Sequence, residues 1–398
     1  MLSEESLELI VQDHLAELEW QAGHGPDFAP GSGERDTWND IVLRGRLRNA
    51  VRNLNPGVPE EYLDQAIGEV ITPKSQSVIA ENRRIHQILV EGYRGIEYID
   101  HEGNVQNPTI YFLSSQPHKN DYLSLNQVTI TNLDGERRFD VVCYVNGMPL
   151  AFIELKKTGA NTSVEGAYNQ LQTYVKEFGM AFRFANIVIP SDDLSAKYGT
   201  PFTPWNHFAP WNVDEDGSPV DPNNMVVAGE PVTQLDLLLD GLFNVERFGQ
   251  LYSDFTAFDD TAEGLVMRIA KPHQYFAVTK AVGSTITAAR GDKRAGVIWH
   301  TTGAGKSMEM ELYTAKIMRR REMLSPTVIV LNDRTELDEQ LFETFNRSTI
   351  LPEAPRNIES RAELRELLSQ KTSGGIYFST LQKFGLNGKG ELREKEHP

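Results

Sequence analysis

The sequence has a single cysteine, Cys143, in 398 residues. That excludes an internal disulfide framework and any zinc site built from several cysteines. Long hydrophobic runs are missing too. No window approaches the roughly eighteen uninterrupted apolar residues of a membrane-crossing helix, so no membrane association is expected. The N-terminus, Met1-Leu2-Ser3-Glu4-Glu5, is acidic and has no apolar leader, which argues against secretion and for the cytosol. Positive charge is scarce: 39 Lys and Arg stand against 56 Asp and Glu, a net charge of −17. A globally basic DNA binder is excluded. A nucleic-acid enzyme is not, because its electrostatic footprint can be a local patch or channel. No internal repeat is visible, and 40% hydrophobic with 24% charged residues is ordinary globular usage.

What is present divides in two. Apolar residues at helical spacing predict helices over residues 3–20, 37–54, 59–70 and 82–90. Alternation then predicts strands at 126–131, 140–145 and 150–155, the last two joined through Asn146-Gly147, a strong hairpin signal. A helix over 167–178 and a strand at 186–189 follow. Residues 200–232 hold six prolines and read as long loops, before a short helix at 235–242. From about residue 246 a second unit begins. A helix over 274–282 leads to a buried strand at 295–299, then His-Thr-Thr-Gly-Ala-Gly-Lys-Ser at 300–307, then a helix over 308–321. Strands at 327–331 and 375–379 flank a helix at 336–345. Strands alternating with helices imply an α/β unit with a parallel sheet.

Two constellations carry chemistry. Glu154 and Lys156 are two apart on a strand and share a face. With Asp140 they supply a carboxylate pair and an adjacent ammonium, the set that metal-assisted phosphodiester cleavage needs. Asp140 and Glu154 would hold Mg²⁺, and Lys156 would position water or offset transition-state charge. Register decides whether they meet. A two-residue turn at Asn146-Gly147 pairs Val145 with Met148 and sets Asp140 opposite Ile153, facing away from Glu154. A three-residue loop with Gly147 as a left-handed bulge sets Asp140 opposite Phe152, on the face of Glu154. The chemistry requires the second. Gln170 and Tyr174, four apart on a helix, share a face and can serve the same site.

The second constellation is the phosphate loop. Backbone amides from Gly303 to Ser307 would cradle phosphates at a helix N-terminus, Lys306 would reach the β and γ phosphates, and Ser307 would hold Mg²⁺. His300 stands where the usual first glycine would be. No apolar strand ending in Asp-Glu follows Lys306, so the domain reads as cut short before that acidic motif. For DNA, Arg137, Arg138 and Lys157 flank the proposed metal site and are the better local basic patch. Arg44, Arg48 and Arg52 form a stripe on one helix, read as a solvated face.

Together these residues resemble the restriction (motor and nuclease) subunit of type I restriction–modification enzymes. RDTWNDIVLRGRLRNAVRNLNPGVP is similar to that family's N-terminal helices. ENRRIHQILVEGY and RRFDVVCYVNGMPLAFIELKK resemble its nuclease core, of the PD-(D/E)xK class, with Phe139 in place of the proline. AYNQLQTY resembles its Gln-xxx-Tyr motif, which implies nuclease-site roles for Gln170 and Tyr174. Glu8 matches the acidic residue of its first helix. WHTTGAGKS resembles motif I of superfamily 2 helicases, VIVLNDRTELDEQ motif Ia, and FSTLQKF the motif after it. Gln274 in KPHQYFAV is placed like an adenine-reading glutamine, beside Thr302, Gly303, Ala304, Gly305, Lys306 and Ser307.

The resemblance implies an endonuclease domain over 1–245, a mixed sheet flanked by helices. It implies a first RecA-like helicase domain over 246–398, truncated before the DEAH-type box. It also implies Mg²⁺ and ATP as cofactors, double-stranded DNA as substrate, ATP-driven translocation, and methylation and specificity subunits as partners. A DNA-repair helicase–nuclease fusion and a non-catalytic fragment that only docks on partners are the alternatives.

Overall fold

The computed structural model describes residues 3–381 apart from 134, 158–162, 193, 222–224, 228 and 333–334. The protein is a mixed α/β chain of two compact units. One comprises residues 1–256 with 267–269, the other 257–266 with 270–398. No helix among the described residues is long and apolar enough to cross a membrane.

In the first unit, α1 (Glu4–Glu17) starts at Ser3, whose hydroxyl accepts from the Ser6 amide and satisfies one of the free N–H groups of the first turn. Leu7, Val11 and Leu15 bury one face of it. A five-stranded mixed sheet follows in sequence order: β1 (Gln21–His24), β2 (Tyr122–Asn132), β3 (Gly135–Val145), β4 (Met148–Leu155) and β5 (Ile187–Ser191). The outer pairs β1–β2 and β4–β5 are parallel; β2–β3 and β3–β4 are antiparallel. Every residue of β4 is buried, as expected of a central strand covered on both faces. Helices α2 (Arg44–Leu54), α3 (Glu60–Ile71), α4 (Val78–Glu91), α5 (Val164–Glu177), α6 (Gln234–Phe243) and α7 (Val245–Asp254) complete the unit.

Residues 37–43 are not the helical turns that the spacing suggests. The Asp40 carboxylate accepts from the Thr37 amide and hydroxyl, a local bond that competes with a helix. The Leu43 amide then reaches the Gly147 carbonyl at 2.8 Å, and Ile41, Val42 and Leu43 are buried in the core outside any helix.

The β3–β4 hairpin departs from both registers considered above. Asn146 and Gly147 have φ of 52° and 78°, the two positive values of a two-residue type I′ turn. Val145 pairs with Met148 and Tyr144 with Pro149. There is thus no three-residue loop with a bulge at Gly147. The extra residue lies further along: Leu150 is skipped, so Cys143 pairs with Ala151 and Val141 with Ile153. Continued by one step, this register stands Asp140 across from Glu154, whereas a bulge-free hairpin would put Ile153 there.

The second unit has a three-stranded parallel sheet, order β6-β8-β7, from β6 (Val328–Asn332), β7 (Pro355–Asn357) and β8 (Ile376–Thr380). Around it are α8 (Pro272–Arg290), α9 (Lys306–Arg319), α10 (Thr335–Arg347) and α11 (Arg361–Gln370). The buried strand expected at 295–299 is not formed. That segment carries no strand pairing, and Val297 and Trp299 are 94% and 80% exposed. A central parallel strand exists only between neighbours, and among the described residues none pairs with it. The end of the motif FSTLQKF, from Gln382 on, lies outside the described residues.

The turn at Asn146-Gly147 is fixed by burial. Asn146 is fully buried, its side-chain Oδ1 accepting from the Asp121 amide and its Nδ2 donating to the Phe112 carbonyl. A Cβ on Gly147 would lie 2.4 Å from the Leu43 carbonyl oxygen, at a φ that favours glycine. We expect Gly147→Ala to destabilise the first unit by about 2–4 kcal/mol, read from its denaturation midpoint. A loss under roughly 0.5 kcal/mol would mean that the turn is not clamped as described.

Candidate nuclease centre and phosphate loop

The carboxylate centre forms where β3 and β4 part. Asp140 Oδ2 accepts from the Leu155 amide at 2.8 Å, which fixes that carboxylate against the end of β4. Glu154 is 1% exposed, and its Oε1 takes the Lys156 ammonium at 3.0 Å. Burial, then the neighbouring Asp140 charge, raises the Glu154 carboxyl to about 8, although Lys156 opposes the shift. Asp140 is raised as well, chiefly by burial, against the Leu155 amide and Lys156. Burial works against the Lys156 ammonium, but Glu154 and Asp140 more than offset it and hold its pKa above the ordinary value.

α1 brings a third carboxylate. Glu8 is buried, and burial followed by repulsion from Asp140 raises it to about 7. Its Oε2 is buried with no hydrogen-bond partner. From α5, Gln170 donates to the Tyr174 hydroxyl. That hydroxyl is itself raised by burial and by Glu154, so both lie at the centre. Phe139, in the position before Asp140, packs its ring 5.1 Å from Phe152 and 5.4 Å from Tyr174.

A cation fits this donor set. Three buried or half-buried carboxylates repel one another, and one oxygen is unpartnered. The oxygens of these three carboxylates do not all lie within 4.8 Å of one another.

The basic residues divide. Arg138 acts on both Glu8 and Asp140. Arg137 is tied to Glu177 at 2.7 Å and lies over the Phe178 ring. Lys157 follows Lys156 just past β4 and is half-buried. In the α2 stripe, Arg44 pairs with Asp36 and Asp40, Arg48 with Asp64 and Arg52 with Glu60, so acidic partners offset its charge.

Sequence reasoning missed Gln127 and Asn126, polar side chains beside Glu8 that favour its charged form against burial. The one available signal was two adjacent polar residues in an otherwise buried strand.

In the second unit the loop before α9 is closed on itself. Lys306 Nζ donates to the carbonyls of His300 and Thr301 at 3.0 and 2.9 Å. Gly303 and Gly305 both have φ of 84°, which lets the backbone turn tightly. Ala304 is half-buried, while Thr302, Gly303, Gly305, Lys306 and Ser307 are exposed. Gln274 accepts from the Lys271 amide and donates to the Ala304 and Gly305 carbonyls. His300 Nδ1 bonds Glu309 Oε1 at 2.7 Å, and His273 Nε2 bonds the Ala304 carbonyl at 2.8 Å. Among the described residues, His273, His300 and Glu309 are the one group of three with ligand atoms within 4.8 Å. The nitrogens bonded to those oxygens are already donors there, so the group works as a clasp around the loop.

The buried acids predict how metal-free stability varies with pH. The folded pKa of Glu154 lies above the ordinary carboxylate value, so its contribution is present below pH about 4.5 and is lost as pH rises through about 8. With chelator present, the melting temperature should fall between pH 6 and 8.5, and Glu154→Gln should flatten that fall. An unchanged slope in Glu154→Gln would contradict the assignment.

Comparison with known proteins gives the family. Residues 1–207 match the model of the type I restriction enzyme R protein N terminus, and residues 273–397 match that of the SWI2/SNF2 ATPase. The type I restriction enzyme HindI endonuclease subunit of Haemophilus influenzae is 33% identical over 97% of this chain and 37% of its own length. The putative type I restriction enzyme MjaIXP endonuclease subunit of Methanocaldococcus jannaschii is 32% identical over 95% and 37%. A Staphylococcus aureus relative, the SauCOLORF180P endonuclease subunit, is 25% identical over 58% and 22%. The chain thus spans little more than a third of the length of the first two relatives. With its N-terminal half matched throughout, the chain belongs to the type I restriction enzyme R protein family.

Proposed function

We propose that this chain is the nuclease-bearing and motor-bearing part of a type I restriction enzyme subunit. Its residues 1–245, most of the first unit, would be a PD-(D/E)xK-type endonuclease domain that hydrolyses double-stranded DNA with Mg²⁺. The observation that carries this reading is Glu154, buried across from Asp140 with the Lys156 ammonium on its oxygen.

Asp140 and Glu154 would hold the cation. When bound, it offsets their repulsion and polarises the scissile phosphate. Asp140 is kept in place by the Leu155 amide. Lys156, once a phosphate enters, orients the attacking water and offsets charge growing on the phosphoryl oxygens. The Tyr174 hydroxyl, held by Gln170, bonds a phosphate oxygen. Arg138 and Lys157, with Arg137 when released from Glu177, contact the DNA backbone.

Residues 246–398, which take in the second unit, would be the first RecA-like part of a superfamily 2 motor that binds ATP. Phosphate oxygens would replace the His300 and Thr301 carbonyls as acceptors of the Lys306 ammonium, with Lys306 turned to the β and γ phosphates and Ser307 on Mg²⁺. Gln274 joins the adenine side of the site to the loop. The match to an SWI2/SNF2 ATPase supports this part. The relatives' names as endonuclease subunits of type I restriction enzymes support assembly with other subunits; methylation and specificity subunits would be those partners.

Asp140→Ala and Lys156→Ala should each lower Mg²⁺-dependent cleavage of linear DNA at least ~100-fold with circular dichroism unchanged. Wild-type rates in either would remove the centre from the reaction. Lys306→Ala should weaken binding of a fluorescent ATP analogue about tenfold or more without altering the melting of the first unit. Unchanged binding would count against the phosphate loop.

A further inference from the structure

Three side chains around the phosphate loop have no part in the nucleotide reading. His273 comes from the first turn of α8, His300 opens the loop, and Glu309 stands on the first turn of α9. Glu309 is 3% exposed. Burying a carboxylate is costly unless an opposite charge meets it, and among the described residues no lysine or arginine pairs with this one. Its partners are two imidazoles: Oε1 lies 2.7 Å from His300 Nδ1 and 3.9 Å from His273 Nε2. The two rings meet edge to face with centroids 5.2 Å apart. The Ala304 carbonyl, 2.8 Å from His273 Nε2, adds a fourth donor atom.

This set has the chemistry and the size of a transition-metal site. A tetrahedral zinc ion with bonds of roughly 2.0–2.1 Å holds its donors about 3.3–3.4 Å apart. The separations here, 2.7, 3.9 and 2.8 Å, straddle that value. The three side-chain donor atoms all lie within 4.8 Å of one another. His273 and His300 are 38% and 24% exposed, so their rings have room to turn. Two imidazoles with one carboxylate suit Zn²⁺ or a similar first-row ion, whereas Mg²⁺ and Mn²⁺ favour all-oxygen sets such as the carboxylate centre. The ion would take the place of the two N–H hydrogens. His300 would then carry its ring hydrogen on Nε2 and His273 on Nδ1, each coordinating as neutral imidazole.

The position gives such an ion a consequence. Lys306 donates to the carbonyls of His300 and Thr301, so the residue that would bind the metal through its ring also holds Lys306 through its backbone. We propose that His273, His300 and Glu309, with the Ala304 carbonyl, form a zinc-type site that, when filled, locks the phosphate loop in this self-bonded form and lowers nucleotide affinity. The metal site stands on its own geometry; the lock rests on the phosphate-loop reading above. The coupling is reciprocal, so nucleotide weakens the metal by the same factor.

The full 398-residue chain, stripped with chelator, is titrated with Zn²⁺ by calorimetry. Glu309→Gln is the central variant, because its side-chain oxygen still accepts from His300 Nδ1 while the anionic ligand is lost. Groups that only orient a ligand already matter 10–100-fold, so losing a ligand should weaken Zn²⁺ at this site about 100-fold or more in Glu309→Gln and in His273→Ala. Asp140→Ala should keep it, and the melting of the metal-free variants should match the parent. Saturating Zn²⁺ should weaken binding of a fluorescent ATP analogue about fivefold or more in the parent and not in Glu309→Gln. Chelation of Zn²⁺ by the analogue itself would act on both proteins alike. Parental Zn²⁺ affinity in Glu309→Gln would overturn the site. Analogue affinity unchanged by Zn²⁺, with Lys306→Ala still weakening it, would overturn the lock. Unchanged affinity in Lys306→Ala would instead remove the phosphate-loop reading beneath it.

Discussion

Glu154 sets the terms for the first unit. A carboxylate at 1% exposure beside a second acid cannot stay ionised on protein contacts alone. Lys156 supplies part of the missing positive charge, and the raised pKa of Glu154 shows that it does not supply all of it. Stability is therefore given up at this point in the sheet. Such local conflict between stability and chemistry is what a site that binds a cation and a phosphate requires.

The rest of the unit is arranged to bring groups to that point. The skipped residue Leu150 turns a hairpin that would face Asp140 with Ile153 into one that faces it with Glu154. α1 is docked so that Glu8 reaches the same place. His14, further along α1, is held between Asp236 and Asp240, which raise it to about 9 and keep it charged at neutral pH. Trp20, just past α1, donates to the Phe243 carbonyl and packs edge-on against Tyr122, Phe243 and Phe248. α5 contributes the Gln170–Tyr174 pair. Net acidity is no obstacle, because cations are needed only locally: Lys156 and Arg138 act within the cluster, while the α2 arginines are already neutralised by acidic partners.

Much of this was legible in the sequence. Period-two alternation marked β2 to β4, and Asn146-Gly147 marked the turn between them. Asp140, Glu154 and Lys156 stood out by residue type and spacing. The way they meet did not. A bulge at Leu150 leaves no compositional trace, since leucine fits a buried strand with or without one. The left-handed φ of 52° at Gln127 is equally silent, because glutamine has no preference for a left-handed backbone and Gly25, which packs against its carbonyl, is about a hundred residues away. The segment 37–43 read as helix by its apolar spacing, but Asp40 and the Gly147 carbonyl captured its backbone groups. The apolar run 295–299 read as a strand, yet a strand needs neighbours, which composition cannot supply. The glycines and lysine of 300–307 marked a candidate phosphate loop, while the clasp of His273, His300 and Glu309 around it depends on α8 and α9 meeting.

The most direct test of the central claim is anomalous diffraction from crystals soaked in Mn²⁺ at pH 8. If the buried acids form a cation site, an anomalous peak lies within ligand distance, roughly 2.0–2.6 Å, of both an Asp140 and a Glu154 oxygen. Lys156 would then be released from Glu154. A fully loaded crystal with no peak there, or with its peak beside His273, His300 and Glu309 instead, would contradict the account.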